Sequence, residues 1–386
     1  MDGMRPVRHF LYRMDFPLGA HLLQTGMTRP PRKPRTAHGR QGGAPTIADV
    51  AALAGVSTMT VSRVINAEGN VRDATREVVN AAIAQLNYAP NPAARSLAGA
   101  AQLRMALLYS NPSAAYLSEF LVGSLDQAGR SDIQLVVQKC EVGEEARTVA
   151  ERLVGSGIDG VILPPPLCDA RPVLDVLLAA HIPTVVVATG CPPAEAGAIS
   201  IDDRAAAQAM TRHLIDLGHN RIGFITGNPN LTASGERLEG YRAALAEAGM
   251  TYDEALVAQG LFTYRSGLDA ADELLDLADP PSAIFASNDD MAAATVAVAH
   301  RRGLDVPGDL TVCGFDDSAI ATTIWPELTT IHQPIADMSR ASVELLAGML
   351  RKRGGPAEVR HETLDYTLIR RQSDAAPRRR PPARAR

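Results

Sequence analysis

From Arg104 to His332, short uninterrupted apolar runs alternate with stretches of helical period, and that alternation leaves few folds open. The runs are Arg104–Tyr109, Ile133–Val137, Gly160–Leu163, Thr184–Val187, Ala198–Ile201, Arg221–Thr226, Ala283–Ala286, Leu310–Phe315 and Leu328–His332. Between most of them lie amphipathic segments such as Arg204–Leu217, Glu236–Ala248 and Asp290–Arg302. A strand that is apolar at every position has no wet face, so it belongs in a parallel sheet with helices on both sides. Nine strands crowd a single sheet, so we divide the segment into two lobes near Ile201. No internal repeat is visible.

Upstream the period is helical throughout. Thr46-Ile47-Ala48-Asp49 has the form of a capping box with Asp in place of Glu, and a first helix is predicted over Ile47–Ala54 with Ile47, Val50, Ala51 and Ala54 inward. Gly55 ends it, Val56 plugs the turn, and Ser57 caps a second helix whose Val61, Val64 and Ile65 face the core. A third helix is predicted over Asp73–Leu86, with Val78, Val79, Ala82, Ile83 and Leu86 inward and Asp73 taking over the cap that Arg72 cannot supply. Residues 91–99 open with Asn91 as N-cap and Pro92 at the first helical position, but nine residues are too few for a helix that stands alone.

Two short helices joined by Ala54-Gly55-Val56-Ser57 make a helix-turn-helix. Its second helix exposes Thr58, Met59, Thr60, Ser62 and Arg63. Hydroxyls, a guanidinium and a soft apolar group can reach phosphates, base edges and thymine methyls in a major groove. The plainer alternative is a small helical bundle with ordinary surface residues.

Charge is divided along the chain. Of 386 residues 21% are charged and the net charge is −5, yet residues 1–99 carry +6, residues 378–386 carry +5 and the middle carries −16. A basic start on an acidic body suggests that the start meets a polyanion and the body does not. Most of the excess sits in Arg29, Arg32, Lys33, Arg35 and Arg40, in a Pro- and Gly-rich stretch that reads as a flexible arm. Phe16–Met27 is apolar behind Arg5, Arg8 and Arg13 but has no small-residue cleavage site. Residues 1–26 therefore read as a disordered leader or as an untranslated upstream stretch, with Met27 a sensible start. Cys140, Cys168, Cys191 and Cys313 are scattered and form no CxxC, which fits a reducing cytoplasmic setting better than zinc or a disulfide scaffold. No apolar run approaches the roughly 18 residues of a membrane helix.

The residues then carry a family resemblance. Asp49-Val50-Ala51, Ala54-Gly55-Val56-Ser57, Thr60-Val61-Ser62-Arg63-Val64, Asn66, Thr75-Arg76, Leu86-Asn87-Tyr88, Pro90-Asn91 and Arg95-Ser96-Leu97 resemble the headpiece of the lactose-repressor (LacI/GalR) family of bacterial transcription regulators. The likeness continues in Asp216-Leu217-Gly218-His219, Glu236-Arg237-Leu238-Glu239-Gly240-Tyr241, Ser287-Asn288-Asp289, Gly314-Phe315-Asp316-Asp317 and Leu328-Thr329-Thr330-Ile331-His332-Gln333-Pro334. It spans Thr46 to about Gln372.

The resemblance implies an all-α helix-turn-helix headpiece over 46–90, a hinge helix over 91–99 and a two-lobe α/β effector and dimerisation domain of the periplasmic-binding-protein kind over 100–372. A disordered basic leader over 1–45 and a basic tail over 373–386 flank them. Thr58 and Met59 occupy the positions that read bases, and Ser57, Thr60, Ser62, Arg63, Asn66 and Arg76 those that grip phosphates or bases. Leu97 matches a leucine that wedges into the minor groove, and Arg95 adds a phosphate contact or is simply solvated. The headpiece itself is electrically neutral over 46–99, so phosphate affinity falls to placement or to the basic arm.

In the body the resemblance assigns Arg237 and Asp316 to ligand hydroxyls, Asn288 to a ring oxygen or hydroxyl, Phe262 to a sugar face and Gln333 to the lobe crossover. Neither Arg237 nor Asp316 has an opposite charge at helical spacing; the bland alternative is an ion pair between the lobes. Tyr116 is assigned to the upper wall of the ligand pocket, although it follows Asn111-Pro112-Ser113-Ala114-Ala115 at a spacing unusual for the family, and Val187-Ala188-Thr189 lacks the Asp or Arg often found there. His213, His219 and His332 are not spaced as metal ligands.

The chain is thus expected to be a dimeric, ligand-responsive repressor of carbohydrate-use genes that binds a near-palindromic operator, with no cofactor, no metal and no membrane partner. With Arg378-Arg379-Arg380-Pro381-Pro382 and no leucine heptad at the end, a helical tetramerisation bundle is not expected. Three alternatives stay open: a solute-binding protein without gene control, a regulator of a non-sugar ligand such as a nucleobase, and an α/β enzyme. For the last, no GxSxG, Walker loop or HExxH is present.

Overall fold

A computed structural model describes residues 45–65, 71–86, 88, 102–110, 112–351 and 359–378. Two compact units divide at Pro90. In the first, helices Ile47–Ala54, Thr58–Ile65 and Asp73–Gln85 enclose a core of Val50, Ala51, Val61, Val64, Val79 and Ala82. Val78, expected inward, is 51% exposed, because the inward stripe runs through Val79, Ala82, Ile83 and Leu86. Asp73 does not cap the third helix either: Arg72 holds the N-cap position without a side-chain bond, and Asp73 is already helical.

The second unit consists of two doubly wound lobes. The strands are β1 Arg104–Tyr109, β2 Gln134–Lys139, β3 Gly160–Leu163, β4 Thr184–Val187, β5 Gly197–Ile201, β6 Ile222–Thr226, β7 Val257–Gln259, β8 Ala283–Ala286, β9 Thr311–Asp316, β10 Thr329–His332, β11 His361–Leu364 and β12 Thr367–Ile369. One sheet runs β11-β5-β4-β3-β1-β2 and the other β12-β10-β9-β8-β6-β7. All pairs are parallel except β12 against β10. The lobes divide at Ile201, where the expected boundary lies, and the chain crosses between them again after β10 and between β11 and β12.

Helix Ile335–Arg351 packs on the first lobe, against helix Ala114–Arg130 and strands β3, β4 and β5. Helix Thr232–Glu247 lies on helix Asp203–Asp216 in the second. Gly240 makes that approach possible, since a Cβ there would stand 2.2 Å from the Arg204 carbonyl oxygen. The expected basic tail begins later than residue 373. Ser373 and Asp374 are buried, and Ser373 Oγ accepts from Thr329 N at 2.8 Å while Val312 N donates to Ser373 O at 2.9 Å. Residues 373–378 are a strap across the second lobe because their backbone and side-chain bonds, not apolar residues, hold them there.

Candidate functional site

The headpiece is built by local chemistry. Thr46 Oγ1 accepts from Asp49 N, and Asp49 Oδ2 accepts from Thr46 N at 2.8 Å, closing the capping box. Gly55 takes φ +66° and stops the helix. Ser57 Oγ then accepts from Thr60 N at 3.1 Å, so Ser57 caps the second helix as expected. The two axes meet at 104°, an angle typical of helix-turn-helix pairs. Ser57, Thr58, Met59 and Arg63 are exposed, Met59 by 65%, while Thr60, Ser62 and Arg76 are half-buried. Met59 thus lies on the outer face of the second helix, outside the headpiece core. Asn66, Arg95 and Leu97 lie outside the described residues.

The second site is a cleft of about 590 Å³, its open mouth included, between the carboxyl ends of the two sheets. In each sheet the strand order reverses beside the first strand, and the crevice at such a switch point is where doubly wound folds hold ligands. Tyr116, Arg237, Phe262, Asn288, Asp316 and Gln333 all line it, so the six residues assigned by resemblance meet at one place. Pro112, Pro165, Pro166, Leu231 and Leu261 supply apolar walls.

Arg237 is the only cation among the described lining residues. Its Nε donates to Asp203 Oδ1 at 2.7 Å, its Nη1 donates to the Ser287 carbonyl at 2.5 Å, and Nη1 stands 3.9 Å from Asp316 Oδ1. The guanidinium carbon lies 3.5 Å from the centre of the Phe315 ring and 5.8 Å from that of Phe262. Arg237 therefore does not lack a partner, as helical spacing suggests; Asp203 comes from a different helix. The pair with Asp316 also lies within one lobe, which overturns the alternative of an ion pair between lobes.

Burial pushes the carboxyls of Asp316 and Asp203 up, with Arg237 opposing in both. Beneath them Asp289 accepts from Ser318 N at 2.8 Å and from Thr330 Oγ1 at 2.7 Å, yet burial still raises it to about 7. Asp203 and Asp316 thus share one guanidinium, while Asp289 is held by Ser318 and Thr330.

Other lining groups hold the site or await a partner. Asn288 Oδ1 accepts from Met291 N at 3.0 Å and its Nδ2 donates to the Phe262 carbonyl at 3.2 Å, so Asn288 caps a helix and fixes Phe262. Gln333 Nε2 donates to Asp316 Oδ1 at 3.3 Å, while the buried Gln333 Oε1 and Tyr116 Oη have no hydrogen-bond partner within the protein. Buried polar atoms without partners are costly, and two of them facing one cleft mark where an outside group belongs. Ala188, Phe262 and Asp316 hold φ of +56°, +59° and +111°, so backbone strain also gathers here. Among the described residues no cluster of His, Cys, Asp and Glu fits a metal; His213, His219 and His332 bond to Asp374, Ser282 and Asp317. No single described helix is long and apolar enough to cross a membrane.

Asp203 and Asp289 were missed because neither stands in a motif with the residue it serves. Asp203 opens a helix after the first crossover, and only the fold brings it to Arg237.

Comparison with known proteins agrees with both sites. Residues 46–91 match the bacterial regulatory proteins of the lacI family, and residues 211–373 match a periplasmic binding protein-like domain. The HTH-type transcriptional regulator CelR of Thermobifida fusca is 38% identical over 85% of this chain and 98% of its own length. Catabolite control protein A of Priestia megaterium is 30% identical over 84% and 95%. Among solved structures, a CelR–cellobiose complex superposes with a TM-score of 0.66 at 36% identity, covering 85% of this chain and 99% of that one. A lac repressor dimer bound to operator and the anti-inducer ONPF superposes with a TM-score of 0.68 at 26% identity, covering 86% and 100%. With headpiece, cleft and nearly full-length relatives in agreement, the chain belongs to the lacI family of bacterial regulatory proteins.

Proposed function

We propose that this protein is a cytoplasmic, ligand-responsive repressor of carbohydrate-utilisation genes that grips a near-palindromic operator as a homodimer and takes an uncharged sugar in its cleft. Thr58 and Met59 read bases; Ser57, Thr60, Ser62, Arg63, Asn66 and Arg76 hold phosphates or bases, Arg95 adds a phosphate contact and Leu97 wedges into the minor groove at the operator centre. The relatives are regulators, and one was solved with cellobiose, another as a dimer on operator. We read the cleft as a binding site and not as a catalytic one.

The observation that carries the ligand class is Arg237 held between Asp203 and Asp316. Its charge is already matched by Asp203 and Asp316, so a phosphate or carboxylate on the ligand would find no unmatched cation among the described lining residues. An uncharged polyol instead gives protons to Asp316 and takes them from the guanidinium edge, while Phe262 and the prolines cover its apolar faces.

Thermal-shift titration of the full chain with cellobiose, glucose, glucose 6-phosphate and hypoxanthine tests this. A ligand at a hundred times its Kd adds about 2.7 kcal/mol of stability. A shift from a neutral sugar, with release of labelled operator DNA at the same concentration, is the expected result. A shift from the phosphate or the nucleobase alone overturns the ligand class.

A further inference from the structure

Helix Thr232–Glu247 carries Arg237 into the cleft, yet its N-cap residue is Leu231, which has no side chain able to cap. The cap comes from the opposite lobe. Asp169, in the turn after β3, accepts through Oδ2 from Thr232 N at 2.9 Å and from Thr232 Oγ1 at 2.9 Å. Its Oδ1 accepts from Thr189 Oγ1 at 2.6 Å. Each threonine hydroxyl then takes a backbone amide from the loop after β4: Gly190 N donates to Thr232 Oγ1 at 2.7 Å and Cys191 N donates to Thr189 Oγ1 at 3.2 Å.

The network is fully satisfied. Both hydroxyl protons go to the carboxylate, both hydroxyl oxygens accept one amide, and the carboxylate faces the positive end of a helix of the other lobe. Gly190 has no room for a side chain, since a Cβ would lie 2.9 Å from Glu236 Cγ. Of these groups Asp169, Thr189, Gly190 and Cys191 belong to the first lobe and only Thr232 to the second. Separating the lobes removes the cap from the helix and most of the donors from Asp169 at once.

We propose that Asp169, Thr189 and Thr232 form a clasp that holds the lobes shut over the cleft and keeps Arg237 at its station, so that the clasp sets how long a ligand is retained. The ligand consequence rests on the cleft being the effector site; the clasp itself is testable without ligand.

The test is residue-resolved hydrogen exchange on the full chain, with Asp169→Ala and Thr232→Val. Asp169→Ala directly unpairs the amide at 232 but not that of Gly190. Thr232→Val directly unpairs the amide of Gly190 but not the one at 232. If the lobes part, the indirectly affected amide accelerates too, by about tenfold in each variant, while amides of β4 and β6 keep their wild-type rates. Acceleration of only the directly unpaired amide would overturn the clasp and leave an ordinary set of loop contacts. Should Asp169→Ala fail to fold, Thr232→Val alone decides. Cellobiose then separates this from the ligand assignment. If it binds, both variants release it about tenfold faster. If it binds neither wild type nor variant, cellobiose is not the effector while the amide rates still judge the clasp.

Discussion

Arg237 Nε donates to Asp203 Oδ1, and this bond ties the guanidinium of the cleft to the first turn of the helix that follows the first crossover between the lobes. Removing one partner of a buried ion pair typically costs about 3–5 kcal/mol, because the other is left desolvated and unmatched. Asp203→Ala should therefore lower the urea-unfolding free energy by about that amount and abolish ligand binding. Asp203→Asn keeps the acceptor, so it should cost less and weaken binding less. Urea melts beside calorimetric titration of the same variants check both; equal effects of the two substitutions would contradict the ion-pair account.

Met59 stands 65% exposed on the second helix with no role in the headpiece core. Met59→Ala should leave stability within about 0.5 kcal/mol of wild type. It should change which base is preferred at one position of each operator half-site, worth about 1–3 kcal/mol per mismatch. Selection from a pool of randomised half-sites reads the preference, and a salt titration should return the same slope, because no phosphate contact is lost.

Much of this fold is legible in the sequence alone. Gly160–Leu163, Thr184–Val187 and Ala283–Ala286 fall where their apolar runs place them, because strands buried on both faces must be apolar at every position. Strands β7, β11 and β12 escaped notice for the complementary reason. They lie at sheet edges, where a strand need not be apolar: β11 reads His361-Glu362-Thr363-Leu364, whereas the edge strand β2 keeps the legible run Leu135-Val136-Val137. The cleft residues in family motifs were legible; Asp203 and Asp169 were not, and Asp289 stands in a motif that does not reveal its role, since each acts on a residue distant in sequence.

Asp289 makes stability depend on pH. Its folded pKa of about 7 exceeds the unfolded carboxylate value near 4, so the folded state holds the extra proton between them. Its stabilising share is complete below about pH 4 and is lost as pH rises through 7. Asn at this position can still accept from Ser318 N and donate to Thr330 Oγ1. Relative to Asp289→Asn, the wild type should therefore lose up to about 2 kcal/mol between pH 5.5 and 7.5 in parallel urea melts. A pH-independent difference would place the carboxyl in one state throughout.

The strap depends on Asp374, which accepts from His213 Nε2 at 2.9 Å, Thr329 Oγ1 at 2.5 Å and Arg370 Nε at 2.9 Å. Burial is the largest single influence and would raise its carboxyl, but the bonds from His213 and Thr329 together with the charges of Arg370 and His213 hold it below the ordinary range. Its contribution is then present above about pH 4 and fades as pH falls through the lowered value. Asp374→Ala should cost about 2–4 kcal/mol, seen as a lower Tm at pH 7. The gap from wild type should narrow toward pH 3, and a gap of constant size would remove the carboxylate from the explanation.

Strands β11 and β12 complete opposite sheets and stand two residues apart near the end of the described chain. A ribosome making this protein therefore releases the headpiece helices first and the last strand of each lobe only after more than three hundred residues. Neither half of the body can be finished by itself, and no early stop leaves one sound lobe. A prematurely ended message would yield a folded DNA reader attached to two sheets that still lack an edge, a product suited to proteolysis before it could occupy an operator without listening to a ligand.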